Sequence, residues 1–433
     1  MAKVITIGQA LDLVKSNDVI VTGLGCAEAR EFFAHLHEIA HRVKNVTITN
    51  CLPMGDFVYF QDPKYKESFQ LDGWFYSPPM RKAHMNGNIS FIPNHLHLAA
   101  IKRLDNKRTN IYVGNCTPPD KHGYISLSLS NTYEKRMMAD CDYIILEVNK
   151  KFPRTLGDVQ MHESQVDYFV NVDYDVPEIP DVAPSEKDKV IGKYIADMIN
   201  DGDCIQLGIG GIPNAVAASL YGKKNLGVHT EMLTTEMAKL AKAGVINGAC
   251  KQIHKGKMVG AFAMGTRELY DYIDDNPACA IMDGGYVNDP YVIAQNDNQV
   301  SINTSMEVDV TGQCCSESIG SMQFSGSGGQ IDTATGAQMS KNGRSFIALY
   351  STAMVKNKQT GEREEVSKIV AQLKQGAAVT LSRNDLHYLV TEYGMVNLRG
   401  TSIKERVERI ISVAHPSFRE QIWKDAKDAG IIY

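Results

Sequence analysis

A glycine-rich segment and a glutamate each follow an apolar run, and the two could belong to one reaction centre. Residues 208–213 read GIGGIP and follow the apolar run 204–207, directly before a helical pattern. Backbone N–H groups at such a strand-to-helix turn can face a phosphate or an oxyanion, because glycine lets the ligand approach closely. Glu231 follows the next apolar run, residues 226–230. A carboxylate beside oxyanion donors is an arrangement suited to nucleophilic catalysis.

Each of these features also has a purely structural interpretation. The dinucleotide fingerprint G-x-G-x-x-G needs a third glycine where this chain has Pro213, so nicotinamide binding is not predicted. A tight turn without a ligand explains an isolated glycine segment about equally well. On position alone, Glu231 is better explained as a first-turn residue stabilised by the dipole of the helix predicted after it. His229 could act as a base, although an isolated histidine is more often packed or hydrogen-bonded.

The elements that must position these residues occur twice in the chain. Residues 7–25 read as a helix, an apolar strand and a glycine turn, and residues 191–210 repeat that order. A helix of small residues and a second apolar strand follow in both copies. Short apolar strands without alternation indicate parallel sheets covered by helices. We therefore predict an α/β protein with two related open domains, parallel-rich sheets and an active site in the crevice between the domains.

A proline-rich segment separates the two copies. Residues 175–184 hold three of the 15 prolines and are the predicted linker. The predicted domains are therefore residues 1–183 and residues 184–433. The second strand of the first copy ends at Asn50, without a carboxylate, whereas Glu231 ends the corresponding strand of the second copy. The nucleophile is thus assigned to the second domain, at the carboxyl end of its sheet.

Two further helices are predicted near the carboxyl end of the chain, over residues 362–373 and 403–413. The second of these helices carries Lys404, Arg406 and Arg409 on its polar face. We expect these three charges to be solvated, as on most amphipathic surface helices.

Composition excludes several classes of function. The 433 residues carry 45 Lys and Arg against 50 Asp and Glu, a net charge of −5 without blocks of like charge, so no nucleic-acid partner is predicted. No apolar run approaches the ~18 residues that cross a bilayer, so no membrane partner is predicted. Nine scattered cysteines without metal-ligand spacing indicate a reduced, cytoplasmic protein and no metal site.

Longer runs of sequence extend the glycine and glutamate motifs. GIGGIPNAV at 208–216 and LGVHTEM at 226–232 are the two central ones. Together with further runs in order along the chain, they resemble the acetyl-CoA hydrolase/transferase family, in particular its butyryl-CoA:acetate and 4-hydroxybutyrate CoA-transferase branch. The further runs are residues 117–124, 265–277, 301–313, 328–332, 390–394, 398–400 and 414–416.

The resemblance implies a CoA-transferase that exchanges coenzyme A between carboxylic acids by a ping-pong mechanism. Glu231 would attack the thioester carbonyl and form a mixed anhydride, and the released thiolate would then attack Glu231 to give a glutamyl-CoA thioester. An incoming carboxylate would reverse these steps. The implied substrates are 4-hydroxybutyryl-CoA or butyryl-CoA with acetate as the exchange partner. Coenzyme A is then a co-substrate, no tightly bound cofactor is expected, and a homodimer is implied.

The resemblance also suggests which residues contact the ligand. The backbone at Ile209 and Gly210 is the first expected oxyanion donor, and Gly328 or Gly329 the second. Lys356 is a reasonable phosphate partner but could equally be a solvated lysine. The expected contacts of coenzyme A are Gln206, Leu207, Gly208, Ile209, Gly210, Asn303, Met306, Gly328, Gly329, Met354 and Lys356.

Three features that belong to the resemblance have no assigned role. Glu392 and Arg399 are family landmarks. The segment 118–123 is rich in proline and ends in glycine, and it could shape the acyl site or be an ordinary turn.

Two other functions remain open from the sequence. Water instead of a carboxylate could resolve the glutamyl thioester, which would make the protein an acyl-CoA hydrolase. A protein that binds coenzyme A or a nucleotide without catalysis would use the glycine segment alone, and Glu231 argues against it. Because the transferase mechanism needs no general base and a glutamate ordinarily has a pKa near 4.3, we expect a flat rate between pH ~6 and 8.

Overall fold

The computed structural model describes residues 2–357 and 361–433. The strands of the first half are β1 Lys3–Val4, β2 Val19–Thr22, β3 Val46–Cys51, β4 Phe69–Phe75, β5 Ile89–Phe91, β6 Ile111–Cys116, β7 Tyr124–Ser126, β8 Tyr143–Val148, β9 Gln160–His162 and β10 Tyr168–Asn171. Its α-helices are α1 Ile7–Asp12, α2 Arg30–His35, α3 Val58–Gln61, α4 Pro78–Ala83, α5 Ala99–Asn106 and α6 Glu134–Met138.

The second half contains more strands, several of them short. They are β11 Cys204–Leu207, β12 Gly227–His229, β13 Met232–Leu233, β14 Met258–Gly260, β15 Phe262–Ala263, β16 Cys279–Ile281, β17 Gln299–Thr304, β18 Glu307–Asp309, β19 Cys314–Cys315, β20 Ser318–Ile319, β21 Met322–Gln323, β22 Arg344–Ala348, β23 Thr352–Lys356, β24 Arg363–Ser367, β25 Ile369–Val370, β26 Tyr388–Thr391 and β27 Gly394–Asn397. The helices are α7 Glu186–Ala196, α8 Gly211–Ala218, α9 Thr235–Lys242, α10 Arg267–Ile273, α11 Gly284–Val287, α12 Pro290–Ile293, α13 Gln330–Met339, α14 Ile403–Ser412 and α15 Pro416–Asp428.

Each half is built around one large sheet. In the described chain the first sheet has the order β1-β10-β8-β6-β2-β3-β4-β5, and all its neighbours pair in parallel. The second sheet has the order β27-β26-β22-β17-β11-β12-β14-β16, and its one antiparallel pair is β26 with β27. The predicted α/β class with two related parallel-rich domains is confirmed.

The internal repeat is visible in the order of the strands. β2, which precedes the glycine turn of the first half, lies between β3 and β6. β11, which precedes the glycine turn of the second half, lies between β12 and β17. All four residues of β2 and of β11 are buried. Non-alternating apolar strands are buried on both faces because helices cover both sides of a parallel sheet.

The glycine turn of the first half binds a side chain of the protein itself. The N–H group of Leu24 donates to Oε1 of Glu134 at 3.0 Å, and the N–H group of Tyr133 donates to the other oxygen at 2.8 Å. Burial raises the pKa of Glu134. An internal carboxylate therefore fills the position that an anionic ligand could take at such a turn.

The two halves contact each other through ion pairs beside the crevice. Arg136 of the first half approaches Asp283 to 2.6 Å, and His97 approaches Asp332 to 2.9 Å. Arg136 lies in α6 and Asp283 directly precedes α11. His97 lies just before α5, and Asp332 lies in the first turn of α13. These contacts fix the wall of the crevice that the first half supplies.

The segment between the halves runs along the surface of the second half. Asn214 donates from Nδ2 to Oδ1 of Asp181 at 2.9 Å, and Lys239 approaches the same carboxylate to 2.8 Å. Ser185 then caps α7 by accepting a hydrogen bond from the N–H of Asp188. The domain boundary between residues 183 and 184 stays a prediction.

The predicted helix over residues 362–373 is wrong. Residues 363–367 form β24, which pairs antiparallel with β23, and β25 follows as a parallel neighbour of β18. Pairing with a neighbouring strand outweighs the helix propensity of the Glu and Lys residues here, as expected when β-branched residues lie next to an available strand edge.

The expectation that all three cations of α14 are solvated is also wrong for one of them. Arg406 is buried and donates to the carbonyl oxygens of Thr311, Arg383 and Leu398. Three carbonyl groups compensate the loss of water around the guanidinium. Within residues 2–357 and 361–433, none of the helices has the length and apolar character required to cross a bilayer.

Candidate active site

Glu231 lies at the carboxyl end of the second sheet, just beyond β12. Its carbonyl oxygen accepts hydrogen bonds from the N–H groups of Ala261 and Phe262 at 2.8 and 3.1 Å, which fix the backbone. Its side chain is partly buried and its Oε2 accepts a hydrogen bond from Nδ2 of Asn288 at 3.0 Å. The carboxylate is therefore oriented by the backbone and by one amide donor.

The carboxylate of Glu231 packs directly against the start of α13. A side-chain carbon on Gly329 would overlap both Oε2 of Glu231 and Nδ2 of Asn288. Gly329 is the N-cap of this 10-residue helix. The positive end of the helix dipole favours the negative form of a carboxylate placed there, and only glycine leaves room for it.

Burial outweighs these favourable contacts. Burial is the largest cause that raises the pKa of Glu231, and the negative charge of Asp332 adds to it, whereas the contacts with Asn288 and Gly329 lower it; the net pKa is about 7. A carboxylate with few waters around it is a stronger nucleophile than one in bulk water. The expectation of a flat rate between pH ~6 and 8 assumed an ordinary pKa for Glu231. With a pKa of about 7, the rate is instead expected to fall below about pH 7, which gives the pH–rate profile an acid limb.

Glu231 opens into a cavity of about 240 Å³ between the two halves. Phe75, at the end of β4, is the residue that the first half contributes, and sequence patterns did not indicate it. Six predicted ligand contacts line this cavity together with Glu231. The lining residues are Phe75, Gln206, Leu207, Gly208, Glu231, Met232, Asn303, Thr304, Ser316, Ser325, Gly326, Ser327, Gly328, Gly329, Gln330 and Thr333.

Two further cavities continue from the first, one after the other. A cavity of about 290 Å³ shares Thr304 and Ser316 with it and is lined by Ile209 and Gly210. The third cavity, of about 190 Å³, shares Met306 and Lys368 with the second. The shared walls indicate a groove that runs from Glu231 past the glycine turn.

The glycine turn has the conformation that its sequence indicates. Gly210 has φ 112° and ψ −179°, which strongly favours glycine, and it is the N-cap of α8. Within the described chain, the N–H groups of Ile209 and Gly210 have no hydrogen-bond partner. Pro213 is the third residue of α8, where the absence of its N–H costs no helical bond. The turn thus offers free donors on the groove side of the sheet.

Comparison with known proteins agrees with this geometry. The profile of the acetyl-CoA hydrolase/transferase N-terminal domain matches residues 1–180, and that of the corresponding C-terminal domain matches residues 265–426. The chain belongs to the acetyl-CoA hydrolase/transferase family. The family predicted from the motifs is confirmed.

Members of this family resemble the chain over almost its entire length. A probable butyrate:acetyl-CoA coenzyme A-transferase of Syntrophomonas wolfei is 42% identical, over 99% of this chain and 96% of that protein. The 4-hydroxybutyrate coenzyme A transferase of Clostridium kluyveri is 38% identical, over 98% and 97%. The crystal structure of RipA from Yersinia pestis superposes with a TM-score of 0.89 at 33% identity, over 99% and 98%. The two relatives named as CoA-transferases confirm the prediction of a CoA-transferase enzyme.

Two predicted contacts of coenzyme A lie away from the groove. Met354 and Lys356 are exposed on β23, and their neighbours Ala353 and Val355 line the third cavity instead. Successive side chains of a strand point to opposite faces, so the even-numbered residues face away. Lys368 lines the second and third cavities and Lys374 lines the third, and the wrong helix prediction for residues 362–373 hid the position of Lys368.

Gln206 and Asn303 belong to a polar network at the base of the cavity. Oε1 of Gln206 accepts hydrogen bonds from the N–H of Ile302 at 2.9 Å and from the hydroxyl of Ser301 at 3.1 Å. Nδ2 of Asn303 donates to the hydroxyl groups of Ser301 and Thr333, both at 3.0 Å. The network joins β11, β17 and α13, so both residues fix the floor beneath the ligand.

His229 is not available as a base for this family's chemistry. Its ring is buried and Nε2 lies 2.8 Å from the carbonyl oxygen of Val287. Burial lowers its pKa to about 3, so the ring is neutral at physiological pH. β12 ends at His229, and the chain changes direction before Glu231. The hydrogen bond instead holds Val287, the residue before Asn288.

The three unassigned family features lie outside the cavity that contains Glu231. Glu392 accepts a hydrogen bond from the N–H of Ser351 at 2.8 Å and pairs with Lys187 at 2.8 Å. Arg399 is exposed. The segment 118–123 forms a turn closed by hydrogen bonds to Asp120 and does not line the cavity. These positions indicate structural contacts for Glu392 and for the turn.

Proposed function

We propose that this protein transfers coenzyme A from a short-chain acyl-CoA to acetate, with Glu231 as the covalent carrier. The observation that carries the proposal is the position of the Glu231 carboxylate, which faces the groove, packs on Gly329 and accepts a hydrogen bond from Asn288. Butyryl-CoA and 4-hydroxybutyryl-CoA are the proposed donors, since relatives at 42% and 38% identity are named for butyrate and 4-hydroxybutyrate.

The reaction proceeds by two exchanges at carbonyl carbons. An oxygen of Glu231 attacks the thioester carbonyl, the C–S bond breaks, and a mixed anhydride and the CoA thiolate result. The thiolate attacks the carboxyl carbon of Glu231, which forms the glutamyl-CoA thioester and releases the first acid with the former glutamate oxygen. Acetate then repeats the two steps in the opposite order and leaves as acetyl-CoA. Thiolate and carboxylates carry their own charge, so no general base is required.

Two sets of backbone donors stabilise the negative charge that develops. The N–H groups of Ile209 and Gly210, two residues that line the second cavity, have no hydrogen-bond partner among the described residues, and the backbone of Gly328 and Gly329 lies against the Glu231 carboxylate. Donors fixed in advance lower the barrier because they need no reorganisation, and each is typically worth ~10²–10³ in rate. The bond from Asn288 adds a donor at the glutamate oxygen itself.

Coenzyme A lies along the three adjoining cavities. The thioester is next to Glu231, and the pantetheine arm passes the turn at Ile209 and Gly210 toward Met306. Lys368 lines the second and third cavities, and burial lowers its pKa to about 8. A bound phosphate would favour the charged form of this lysine. We therefore propose Lys368, rather than Lys356, as the phosphate contact.

Mass spectrometry of the reaction intermediate tests the proposal. The protein is incubated with butyryl-CoA and treated with borohydride, which reduces a glutamyl thioester, or with hydroxylamine, which converts it to a hydroxamate. The modification is expected on the peptide that contains Glu231 and is expected to be absent from E231Q. Modification of another residue, or none with any short-chain acyl-CoA, would overturn the proposal.

Acetate dependence separates the transferase from the hydrolase. A transferase consumes butyryl-CoA in proportion to the acetate supplied and produces acetyl-CoA, whereas a hydrolase consumes it at the full rate without acetate. The same experiment with 4-hydroxybutyryl-CoA ranks the two donors.

A homodimer remains a prediction, which sedimentation equilibrium tests directly.

A further inference from the structure

A buried ion pair joins the first half to the helix that contacts Glu231. His97 lies just before α5, and Asp332 lies in the first turn of α13. Nδ1 of His97 is 2.9 Å from Oδ1 of Asp332, and the backbone N–H of His97 donates to Oδ2 at 3.1 Å. The Asp332 side chain is only 1% exposed. One residue of the first half thus binds both oxygens of a buried carboxylate in the second.

Asp332 is connected to Glu231 through the beginning of α13. Gly329, the N-cap of this helix, touches the Glu231 carboxylate, and Asp332 is the third residue of the helix. The negative charge of Asp332 adds to the effect of burial in raising the pKa of Glu231. The hydrogen bond to Asp332 in turn raises the pKa of His97. A positive charge on His97 therefore opposes the effect of Asp332 on the nucleophile.

Few other charged groups face this pair. Asp289, before α12, raises the pKa of His97 further, and Lys102 on α5 lowers it. The ring of His95 is stacked near that of His97, with ring centres 6.2 Å apart. On the side of Glu231, burial holds the thiol of Cys51 neutral by raising its pKa well above the usual range.

We propose that His97 is a positioning residue that acts on Glu231 through Asp332: it holds the first turn of α13 against the nucleophile and offsets the negative charge beside it. The first half of the chain thereby helps to set the pH range in which the second half is active. This inference rests on the proposed role of Glu231.

Two variants with opposite effects test the inference. H97N replaces the Nδ1 donor by the side-chain amide of asparagine, so the hydrogen bond is kept and the positive charge is lost. The acid limb of kcat/KM for butyryl-CoA is expected to move to higher pH by about 0.5 to 1 unit, because the uncompensated charge of Asp332 disfavours ionised Glu231. D332N removes the negative charge, and the limb is expected to move to lower pH.

Control variants separate this charge effect from a loss of structure. H95N alters the neighbouring ring without touching Asp332, and its acid limb is expected to match the wild type. H97K keeps a positive charge and is expected to keep the limb within about 0.3 units. If H97N and D332N lose activity but keep the wild-type limb, the pair has only a structural role and the inference is wrong.

The extent of Glu231 labelling provides a second measurement. The pH at which glutamyl-CoA formation is half-maximal is determined by quenched mass spectrometry, so a variant with little turnover is still informative. An unshifted midpoint in H97N and D332N contradicts the inference, while labelling itself supports the proposed function. Absence of labelling in the wild type contradicts the proposed function instead. If H97N does not fold, H97Q removes the same charge, and an unshifted midpoint in H97Q contradicts the inference.

Discussion

Nδ2 of Asn288 lies 3.0 Å from Oε2 of Glu231, and 57 residues separate the two in the sequence. Asn288 is fully buried at the end of α11, and its position is fixed by the hydrogen bond between His229 and the preceding residue, Val287. The amide thus presents a donor to one of the two glutamate oxygens. It orients the carboxylate and stabilises negative charge on that oxygen.

Removing this donor is expected to slow the reaction. N288A leaves Glu231 free to rotate and removes a contact that lowers the Glu231 pKa, so kcat is expected to fall by about 10²-fold and the acid limb to move to higher pH. Steady-state rates with butyryl-CoA and acetate between pH 5.5 and 8.5 measure both effects. The exposed Asn384, whose replacement N384A leaves the site intact, is the matched control. Wild-type rates for N288A would show that Glu231 needs no orienting amide.

The wild-type enzyme is expected to lose activity in mild acid. Burial raises the pKa of Glu231 to about 7, so the nucleophilic form is fully populated above this value and falls tenfold per pH unit below it. kcat/KM for the acyl-CoA therefore rises with pH up to about 7 and is constant above it. A constant value down to pH 5 would mean that Glu231 has an ordinary pKa.

The same pKa has a consequence for stability. The folded state binds a proton at Glu231 more tightly than the unfolded state, so ionisation of this residue destabilises the fold as the pH rises from about 4.5 to about 7. E231Q removes this effect and is expected to be more stable than the wild type by about 1 to 3 kcal/mol at pH 8, with a smaller difference at pH 5. Urea unfolding at both pH values measures the difference. An equal difference at the two pH values would contradict the expectation.

Close packing at Gly329 makes this position intolerant of any side chain. The methyl group of G329A would displace the Glu231 carboxylate and the Asn288 amide, so activity is expected to fall by at least about 10²-fold while the fold is retained. G222A is the control, because nothing lies within 4 Å of the added carbon at that glycine. Similar activity of the two variants would show that the contact is not required.

Lys368 and Lys356 are expected to differ in their effect on coenzyme A binding. K368Q is expected to raise KM for the acyl-CoA by about tenfold with little change in KM for acetate, because a charge-assisted hydrogen bond is worth about 1.5 kcal/mol or more. K356Q, on the opposite face of β23, is expected to behave as the wild type. The reverse result would restore the sequence-based assignment to Lys356.

Part of the site was predictable because local pattern and sheet topology determine it. An apolar strand followed by glycines and a helix places residues 208–210 at the carboxyl edge of a parallel sheet, and Glu231 comes just after the end of the adjacent strand, β12. Parallel strands end at the same edge, so the two segments must meet. Residues whose role depends on this adjacency were therefore found from sequence alone.

The remaining contributors depend on packing between distant segments. Phe75 lines the cavity from β4, and Asn288 contacts Glu231 from the end of α11; no spacing in the chain marks either residue. Lys368 follows a hairpin whose charged residues read as a helix. The raised pKa of Glu231 could not be predicted from the motif either. Burial causes it, and burial depends on how the two halves of the chain pack around the residue.

The internal carboxylate of Glu134 distinguishes the two copies of the repeated unit. In the first half, the anion attracted by the strand-to-helix turn is a permanent part of the chain, held by the N–H groups of Leu24 and Tyr133. In the second half, the N–H groups of Ile209 and Gly210 make no hydrogen bond within the described residues. One copy of the framework thus satisfies its turn internally, and the copy that carries Glu231 does not.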